Sequence, residues 1–511
     1  MRPSTPFAEV FLSTSKTSEL VVDNIAAGRL RKIGPSLYTS NLVDAPEAII
    51  RRNLWQVVSL YCPGALVTDR TGIEAKPAAD GSVFVVADRV RDVNLPGLKI
   101  RPRNGPGPTE ADNLFMGGLH MACPARLLLD NMKPSRSRSG VSRTLNRVEM
   151  ETYLDRLAIQ RGEDGLNRVR DEARRVAPLL GLDEEMKKLD RLVGALLGSR
   201  PGVEMTALAA VARGAGRPYD PMRMEIFEAL RTELASQPPI IRRAPTLVRQ
   251  GDDNLAFFEA YFSNFIEGTE FRVEEAADIV FNGVIPVDRP QDAHDVLGTF
   301  RIVSDRREMC TLPKTVEEFI SMLERRHAVI MEQRPDKKPG KFKDKPNRVG
   351  QREFVAPNMV LGTLEKGFEI YRTMTGAFER ATFMMYLVSE VHPFIDGNGR
   401  VARIMMNAEL VADDEERILV PIVYRSNYLS ALRALSNNRH ATPLVRMFDF
   451  AQRYALSIPW NSFAQASHVL TGTNAFMNPD EADEIGVRLR LPTAELLQEA
   501  EDAFRGCPGR C

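Results

Sequence analysis

Twelve consecutive residues bring together a histidine, an aspartate, two glycines and two arginines at close spacing: His392-Pro393-Phe394-Ile395-Asp396-Gly397-Asn398-Gly399-Arg400-Val401-Ala402-Arg403. An imidazole that titrates near neutral pH can take the proton of a hydroxyl. A carboxylate such as Asp396 is a hard oxygen ligand suited to Mg2+ held between phosphates. Gly397 and Gly399 remove the Cβ restriction, so that successive backbone N–H groups can converge on an anion. Arg400 and Arg403 stand three apart, on one face of a helix, and can fork onto phosphate oxygens. Phe394 has no such chemistry and is expected to anchor the segment in the core. A turn that only joins two helices would explain the glycines but not the His, Phe, Asp and paired Arg. A base, a metal carboxylate, an amide nest and two guanidiniums make a kit for phosphoryl or nucleotidyl transfer.

Two helices must position this kit. FERATFMMYLVSEV precedes it and VARIMMNAELVAD follows, both apolar-periodic. The segment is therefore a turn between helices, with its glycines just before the second helix. A helix start offers unsatisfied N–H donors and the positive end of the dipole, and both favour an anion.

The string fits HPFx[D/E]GNGRxxR and resembles the Fic family at every defined position. The resemblance implies transfer of AMP from ATP to a Ser, Thr or Tyr hydroxyl of a target protein. His392 would deprotonate the hydroxyl and Asp396 would hold Mg2+. The amides of Gly397–Gly399 and Asn398 would bind the phosphates, and Arg400 and Arg403 would balance their charge. Asn407 matches a position near the nucleoside, and Tyr428 would line the adenine side, where a core tyrosine is the competing reading. Upstream, Ser263-Asn264-Phe265-Ile266-Glu267-Gly268 fits [S/T]xxxE[G/N], the family's inhibitory pattern. It lies on a helix of about 255–268 with an apolar face of Phe257, Tyr261, Phe265 and Ile266. By resemblance, Glu267 would reach Arg403 and deny it to the γ-phosphate. The Lys/Pro/Gly-rich stretch 335–357 breaks the helical run where the family carries a β-hairpin flap, with Gly340 and Gly350 as turn points; a solvated basic loop is the alternative. The implied partners are a hydroxyl-bearing target protein, the chain itself included, with a homodimer left open.

The chain has 511 residues, 43% hydrophobic and 27% charged, so it can build real cores. Lys+Arg 68 cancel Asp+Glu 68, so any contact with nucleic acid or membrane must come from a local patch. Five scattered cysteines, no apolar leader and no membrane-length run point to a cytoplasmic protein without a membrane partner. His120, His294, His327, His440 and His468 show no metal-ligand spacing, and Cys507 and Cys511 read as a free tail.

Four regions are expected. Residues 1–135 read as a winged-helix-like α+β module. Within it TSELVVDNIAAG is a helix, RLRKIGPSLYTS is strand, turn and strand, 48–61 is a helix, and GSVFVVADRVRDVNLPGLKIRPR is paired strands. The first part is similar in outline to the N-terminal unit of abortive-infection type antitoxins, which leaves DNA contact through Arg29, Arg31 and Lys32 open beside a protein-interaction role. Residues 136–224 read as a Ser/Arg-rich linker and a helical spacer, 225–460 as a mainly α Fic-type bundle with inhibitory helix and flap, and 461–511 as an acidic tail. Two other functions stay open: removal of AMP or transfer of another phosphate-bearing group by the same fold, and an antitoxin-like regulator whose second half only senses ATP.

Overall fold

Short alternating runs punctuated by glycine build the first part of the chain, and long apolar-periodic runs build the second. The computed structural model describes residues 7–88, 91–135, 140–199, 204–245, 252–350 and 352–503. It divides into two units, 1–216 and 217–511.

In the first unit, β1 (Val10–Leu12), α1 (Ser18–Ala26), β2 (Arg31–Gly34) and β3 (Leu37–Thr39) form a small antiparallel sheet of order β1-β3-β2 beside one helix. The hairpin expected at RLRKIGPSLYTS is β2–β3, and β1 adds a strand the sequence reading left unassigned. The helix expected over 48–61 is two, α2 (Pro46–Arg52) and α3 (Leu54–Tyr61). Asn53 separates them: its side chain donates to Ile49 O at 2.9 Å, which draws it away from a continuous helix. Of the three cations expected to face DNA, Arg31 donates to Asn41 O at 3.0 Å and to Asp44 O, while Arg29 and Lys32 are exposed.

A second, six-stranded sheet follows. It contains β4 (Leu66–Val67), β5 (Ser82–Val86), β6 (Val93–Leu95), β7 (Leu98–Arg103), β8 (Asn113–Leu114) and β9 (His120–Met121), with α4 (Asp69–Glu74) after its first strand. Its order is β6-β7-β5-β4-β9-β8, and β5 pairs with β7 in parallel. The helices α5 (Pro124–Asn131), α6 (Arg147–Leu180), α7 (Asp183–Leu196) and α8 (Leu208–Gly214) share a core of Leu154, Leu166, Leu189 and Val193. α6 opens on a capping box of Asn146 and Glu149 and breaks at Gly162 (φ 70°) within the expected helical spacer. Residues 136–139 of the Ser/Arg-rich stretch and the tail from 504, with Cys507 and Cys511, lie outside the described residues. From 140 on the stretch is tied down. Arg143 bonds Asp69 at 3.0 Å and Thr144 donates to Lys133 O at 2.8 Å.

The second unit is helical: α9 (Pro221–Ser236), α10 (Asp252–Ile266), α11 (Val273–Asn282), α12 (Pro290–Ser304), α13 (Arg306–Met309) and α14 (Val316–Ile330). A two-strand hairpin, β10 (Arg348–Val349) and β11 (Arg352–Glu353), interrupts it as expected of the flap, turning at Gly350 (φ 61°). Then come α15 (Val360–Tyr371), α16 (Ala377–Val391), α17 (Asn398–Ala412), α18 (Arg425–Asn438) and α19 (Thr442–Leu456). α16 and α17 are buried along nearly their whole length and form the centre of the bundle. The last helices, α20 (Phe463–Gly472), α21 (Pro479–Glu484) and α22 (Ala494–Ala503), pack Val469, Leu470, Ala482 and Ala500 into the same core as Phe257, Phe258 and Trp460. The described part of the acidic tail is thus a wall of this core. No helix among the described residues is long and apolar enough to cross a membrane.

Candidate active site

His392 ends α16 in the left-handed region (φ 54°), a strained place for a residue with a Cβ. There its Nδ1 lies 3.3 Å from Ser389 O, which can only accept. Nδ1 therefore carries the proton of the neutral ring, and Nε2 is left with its lone pair. Phe354, just beyond β11, stacks on the imidazole at 3.8 Å and 10°. Burial pushes His392 down to about 4, with the nearby Lys343 charge adding to the effect. The ring is neutral at pH 7 and able to accept a proton.

The loop from 393 to 397 is braced from within and below. Asn398 closes it: its Oδ1 accepts from Phe394 N at 2.8 Å and its Nδ2 donates to Phe394 O at 3.0 Å. The side chain of Asn398 is spent on the loop, and what it offers an anion is its backbone N–H. Phe394 is fully buried and stacks at 3.7 Å on His327 of α14, as expected of an anchor. His327 accepts from Gly340 N at 2.9 Å through Nδ1, so its Nε2–H donates to Asp396 O at 3.1 Å. Burial pushes His327 down to about 4, which keeps it neutral in this role. Sequence reading had looked at His327 only as a metal ligand. It lies on the buried face of α14 with Phe319, Leu323, Arg326 and Ile330.

Gly397 begins α17 at φ 73°, and a Cβ there would come 2.9 Å from Met331 Sδ. The next N–H groups, of Asn398, Gly399 and Arg400, are first-turn donors with no acceptor inside the helix. The Asp396 carboxylate is 43% exposed, with Oδ1 accepting from Gly397 N at 2.7 Å and lying 4.0 Å from Arg400 Nη2. No cluster of three or more metal-ligating side chains occurs among the described residues. One partly exposed carboxylate beside a set of amides fits Mg2+ that arrives bound to phosphates, because Mg2+ takes few protein ligands.

The two arginines differ. Arg400 is buried and paired with Asp295 of α12 at 2.7 Å, and it also donates to Asn264 at 3.3 Å; its Nε has no partner among the described residues. Asp295 is itself held by Arg334 at 2.9 Å. Arg403 is also buried, but its acceptors come from α10. Nε donates to Ser263 Oγ at 3.0 Å, and Nη2 donates to Ser263 O at 2.8 Å and to Glu267 Oε1 at 2.7 Å. Glu267 follows the last turn of α10, and Gly268 (φ 91°) turns the chain away. The carboxylate sits against Gly399 so closely that a Cβ there would collide with Oε1. A negative group is thus already placed over the start of α17 and on Arg403.

Tyr428 is buried, with its hydroxyl 3.5 Å from Arg403 Nη1. Asn407 is saturated: it exchanges bonds with Ile418 (2.9 and 3.1 Å) and donates to Glu259 at 2.8 Å. Between α10, Arg403, Asn407 and Leu419 lies a cavity of about 10 Å³, on the scale of one water. His392, Asp396, Gly397, Gly399, Arg400, Arg403, Ser263, Glu267 and Tyr428 therefore converge. Asn398 and Asn407 brace the backbone around them. Asp295, His327, Glu259 and Phe354 belong to the site but were not read from sequence.

Residues 320–410 match the model of the Fic/DOC family, so this part of the chain is a Fic domain. The chain is 27% identical over 197 residues to protein adenylyltransferase fic-1 of Caenorhabditis briggsae, covering 37% of this chain and 38% of that protein. It is 24% identical over 239 residues to the Caenorhabditis elegans protein of the same name, covering 44% and 46%. The matches thus span less than half the length of those relatives. Among solved structures, a Fic domain containing signaling protein from Bacteroides thetaiotaomicron aligns with 45% of this chain and 94% of its own, at 20% identity and a TM-score of 0.38.

Proposed function

We propose that the second unit is a protein adenylyltransferase held inactive by its own Glu267. Its substrates are ATP and a Ser, Thr or Tyr hydroxyl of a protein. The observation that carries the reading is the Glu267 carboxylate on Arg403 Nη2 at 2.7 Å, lying over Gly399. A carboxylate in that place repels a terminal phosphate and occupies the guanidinium that would clamp it.

In the transfer, the acceptor oxygen attacks the α-phosphorus and the bond to the bridging oxygen on the β side breaks. Pyrophosphate leaves, and the hydroxyl proton passes to His392 Nε2. Phe354 and the Ser389 carbonyl hold the ring for that step. The first-turn amides of α17 and Arg403, once freed, stabilise phosphate charge in a partly dry site. Asp396 would hold Mg2+, which when bound neutralises charge on the phosphates. The 10 Å³ cavity beside Arg403 supports a closed resting state, because entry of a nucleoside there needs α10 or the 417–420 segment to shift.

For the first unit, an interaction module is better supported than a DNA reader. The face of α1 carries Glu19, Asp23 and exposed Leu20, Val22 and Ile25, and Arg31 is consumed within the fold. A gel shift with the full chain would be negative on this reading.

The test of the transferase is ATP labelled on the α- or the γ-phosphate, offered to wild type, Glu267→Gly and Glu267→Gly/His392→Ala. Protein takes up α-label strongly in Glu267→Gly, weakly in wild type and not in the double variant. Uptake of γ-label alone would exclude AMP transfer. Loss of α-label from pre-labelled protein on adding wild type would favour AMP removal.

A further inference from the structure

The hairpin β10–β11 is held in place over the catalytic loop rather than left to solvent. Glu390, buried on α16 two residues before His392, binds Arg352 of β11 and Arg223 of α9, and accepts from Ser436 at 2.7 Å. Arg223 also donates to Glu353 O at 2.9 Å. At the other limb, Lys343 N donates to Pro393 O at 2.8 Å and Asn347 donates to Phe394 O at 2.9 Å. The spacing between the hairpin and His392 is therefore preset by four points of attachment and the Phe354 stack.

Its charge is also sorted. Residues 335–353 hold seven cations (Lys337, Lys338, Lys341, Lys343, Lys345, Arg348 and Arg352) against Asp336, Asp344 and Glu353, in a chain of zero net charge. Lys337 and Lys338 pair with Asp336 and Asp344, Arg352 with Glu390, and Lys343 is buried on Asn347 at 2.6 Å. Lys341, Lys345 and Arg348 are exposed and make no ion pair among the described residues. Opposing them is Glu353, directly across from Arg348 in the strand register. The rim is left with three uncommitted cations against one carboxylate, at a fixed distance from the base.

We propose that the segment bearing the acceptor hydroxyl is an acidic peptide stretch, with Asp or Glu close to the modified residue in sequence. The inference rests on the transferase reading and names its substrate class. A segment adding to the hairpin edge contributes main-chain hydrogen bonds that carry no sequence information. Choice among acceptors then falls to the side chains beside that edge, and exposed lysines and arginine select by complementary charge. A polypeptide is favoured over nucleic acid because a strand edge pairs with peptide N–H and C=O groups, and three cations are few for a phosphate backbone.

The test uses the full-length Glu267→Gly chain, α-labelled ATP and synthetic peptides with one Ser, Thr or Tyr flanked by Asp/Glu, by Ala/Gln or by Lys/Arg. Acidic peptides are labelled about tenfold more efficiently than neutral ones, since two or three exposed pairs contribute modestly each. The advantage shrinks as salt rises from about 0.05 to about 0.5 M. In Lys341→Glu/Lys345→Glu/Arg348→Glu the preference turns toward basic peptides. Equal labelling of the three sets overturns the proposal, as does a preference that survives the triple reversal or self-labelling with no peptide labelled at all. An oligonucleotide that blocks labelling better than an acidic peptide of equal charge overturns it in favour of nucleic acid. Failure of the transferase reading is distinct: α-label then enters neither peptide nor the chain itself.

Discussion

Each unit buries a cluster of opposite charges, and the two clusters differ in whether they can open. In the first unit Asp69, wholly buried at φ 54°, is held by Arg103 at 2.8 Å and by Arg143 at 3.0 Å. Arg103 reaches on to Asp130 at 3.0 Å, and Thr68 donates to Asp130 at 2.7 Å. Every carboxylate there lies inside the fold with at least two donors, so the network is closed. In the second unit Arg403 is equally buried, yet its carboxylate partner Glu267 is 26% exposed and hangs from the end of α10. Buried charges are stable only when paired, but a pair with one member at a helix end can exchange that member for a ligand. The first cluster is closed on every side, while the second has one partner that reaches solvent; under the proposed function, that partner is the one a phosphate would replace.

The largest effect tests the proposed transfer. In the Glu267→Gly background, His392→Ala lowers α-label transfer by about 10² to 10⁴, the range for a removed general base, with the thermal midpoint little changed. Next, Asp69→Ala strips the closed cluster of its central anion. It lowers stability by about 3–5 kcal/mol, read by denaturant unfolding, because Arg103 and Arg143 are left facing each other. The same variant leaves labelling by a Glu267→Gly chain intact while the protein stays folded. Glu267→Gly raises labelling by about a hundredfold over wild type, on the scale of one buried charge contact, and costs less than half the stability lost with Asp69→Ala. If the two substitutions cost the same, the distinction between closed and exchangeable clusters fails.

The smallest effect is in pH. His392 sits at about 4 in the folded chain, against about 6.5 when unfolded. Above 6.5 the ring is neutral in both states. Between 6.5 and 4 the unfolded chain binds the proton first, so this residue's contribution to stability is lost as pH falls through that window. Transfer by Glu267→Gly accordingly holds level from pH 8 to about 5, then drops about tenfold per unit below the His392 value. Burial also pushes Lys343 down to about 7, with the Arg223 charge adding to the effect. Loss of the Lys343 charge above neutrality changes the rate at most a few-fold, since the His392 ring beside it is already neutral there and the acceptor side feels the charge only through the flap.

Much of the site was legible before any coordinates. The helix–turn–helix at 377–412 followed from apolar periodicity broken by glycines, and the inward Phe394 followed from its lack of polar chemistry. Glu267 opposite Arg403 was expected only from the resemblance to the family's inhibitory pattern, and the structure shows the pair at 2.7 Å. The roles of Asn398 and Asn407 were not legible. An amide side chain suits a phosphate, a base or a backbone equally well, and only the loop at Phe394 and the extended segment at Ile418 decide among them. The single helix expected over 48–61 missed its break because an asparagine's bond to its own helix leaves the apolar period unchanged.

What the sequence determined alone was the inventory and its local order: a base, a carboxylate, free amides at a helix start and two guanidiniums. These depend on residue type and on the near neighbours that set φ, ψ and helix ends. Which carboxylate each guanidinium meets, and how deep that carboxylate lies, was decided by the tertiary structure. Asp295 claims Arg400 from the interior of α12, and Glu267 claims Arg403 from 136 residues upstream at the edge of α10. The availability of a buried cation is set by the depth and mobility of whatever carboxylate packing brings to it, and that is a property of the assembled core.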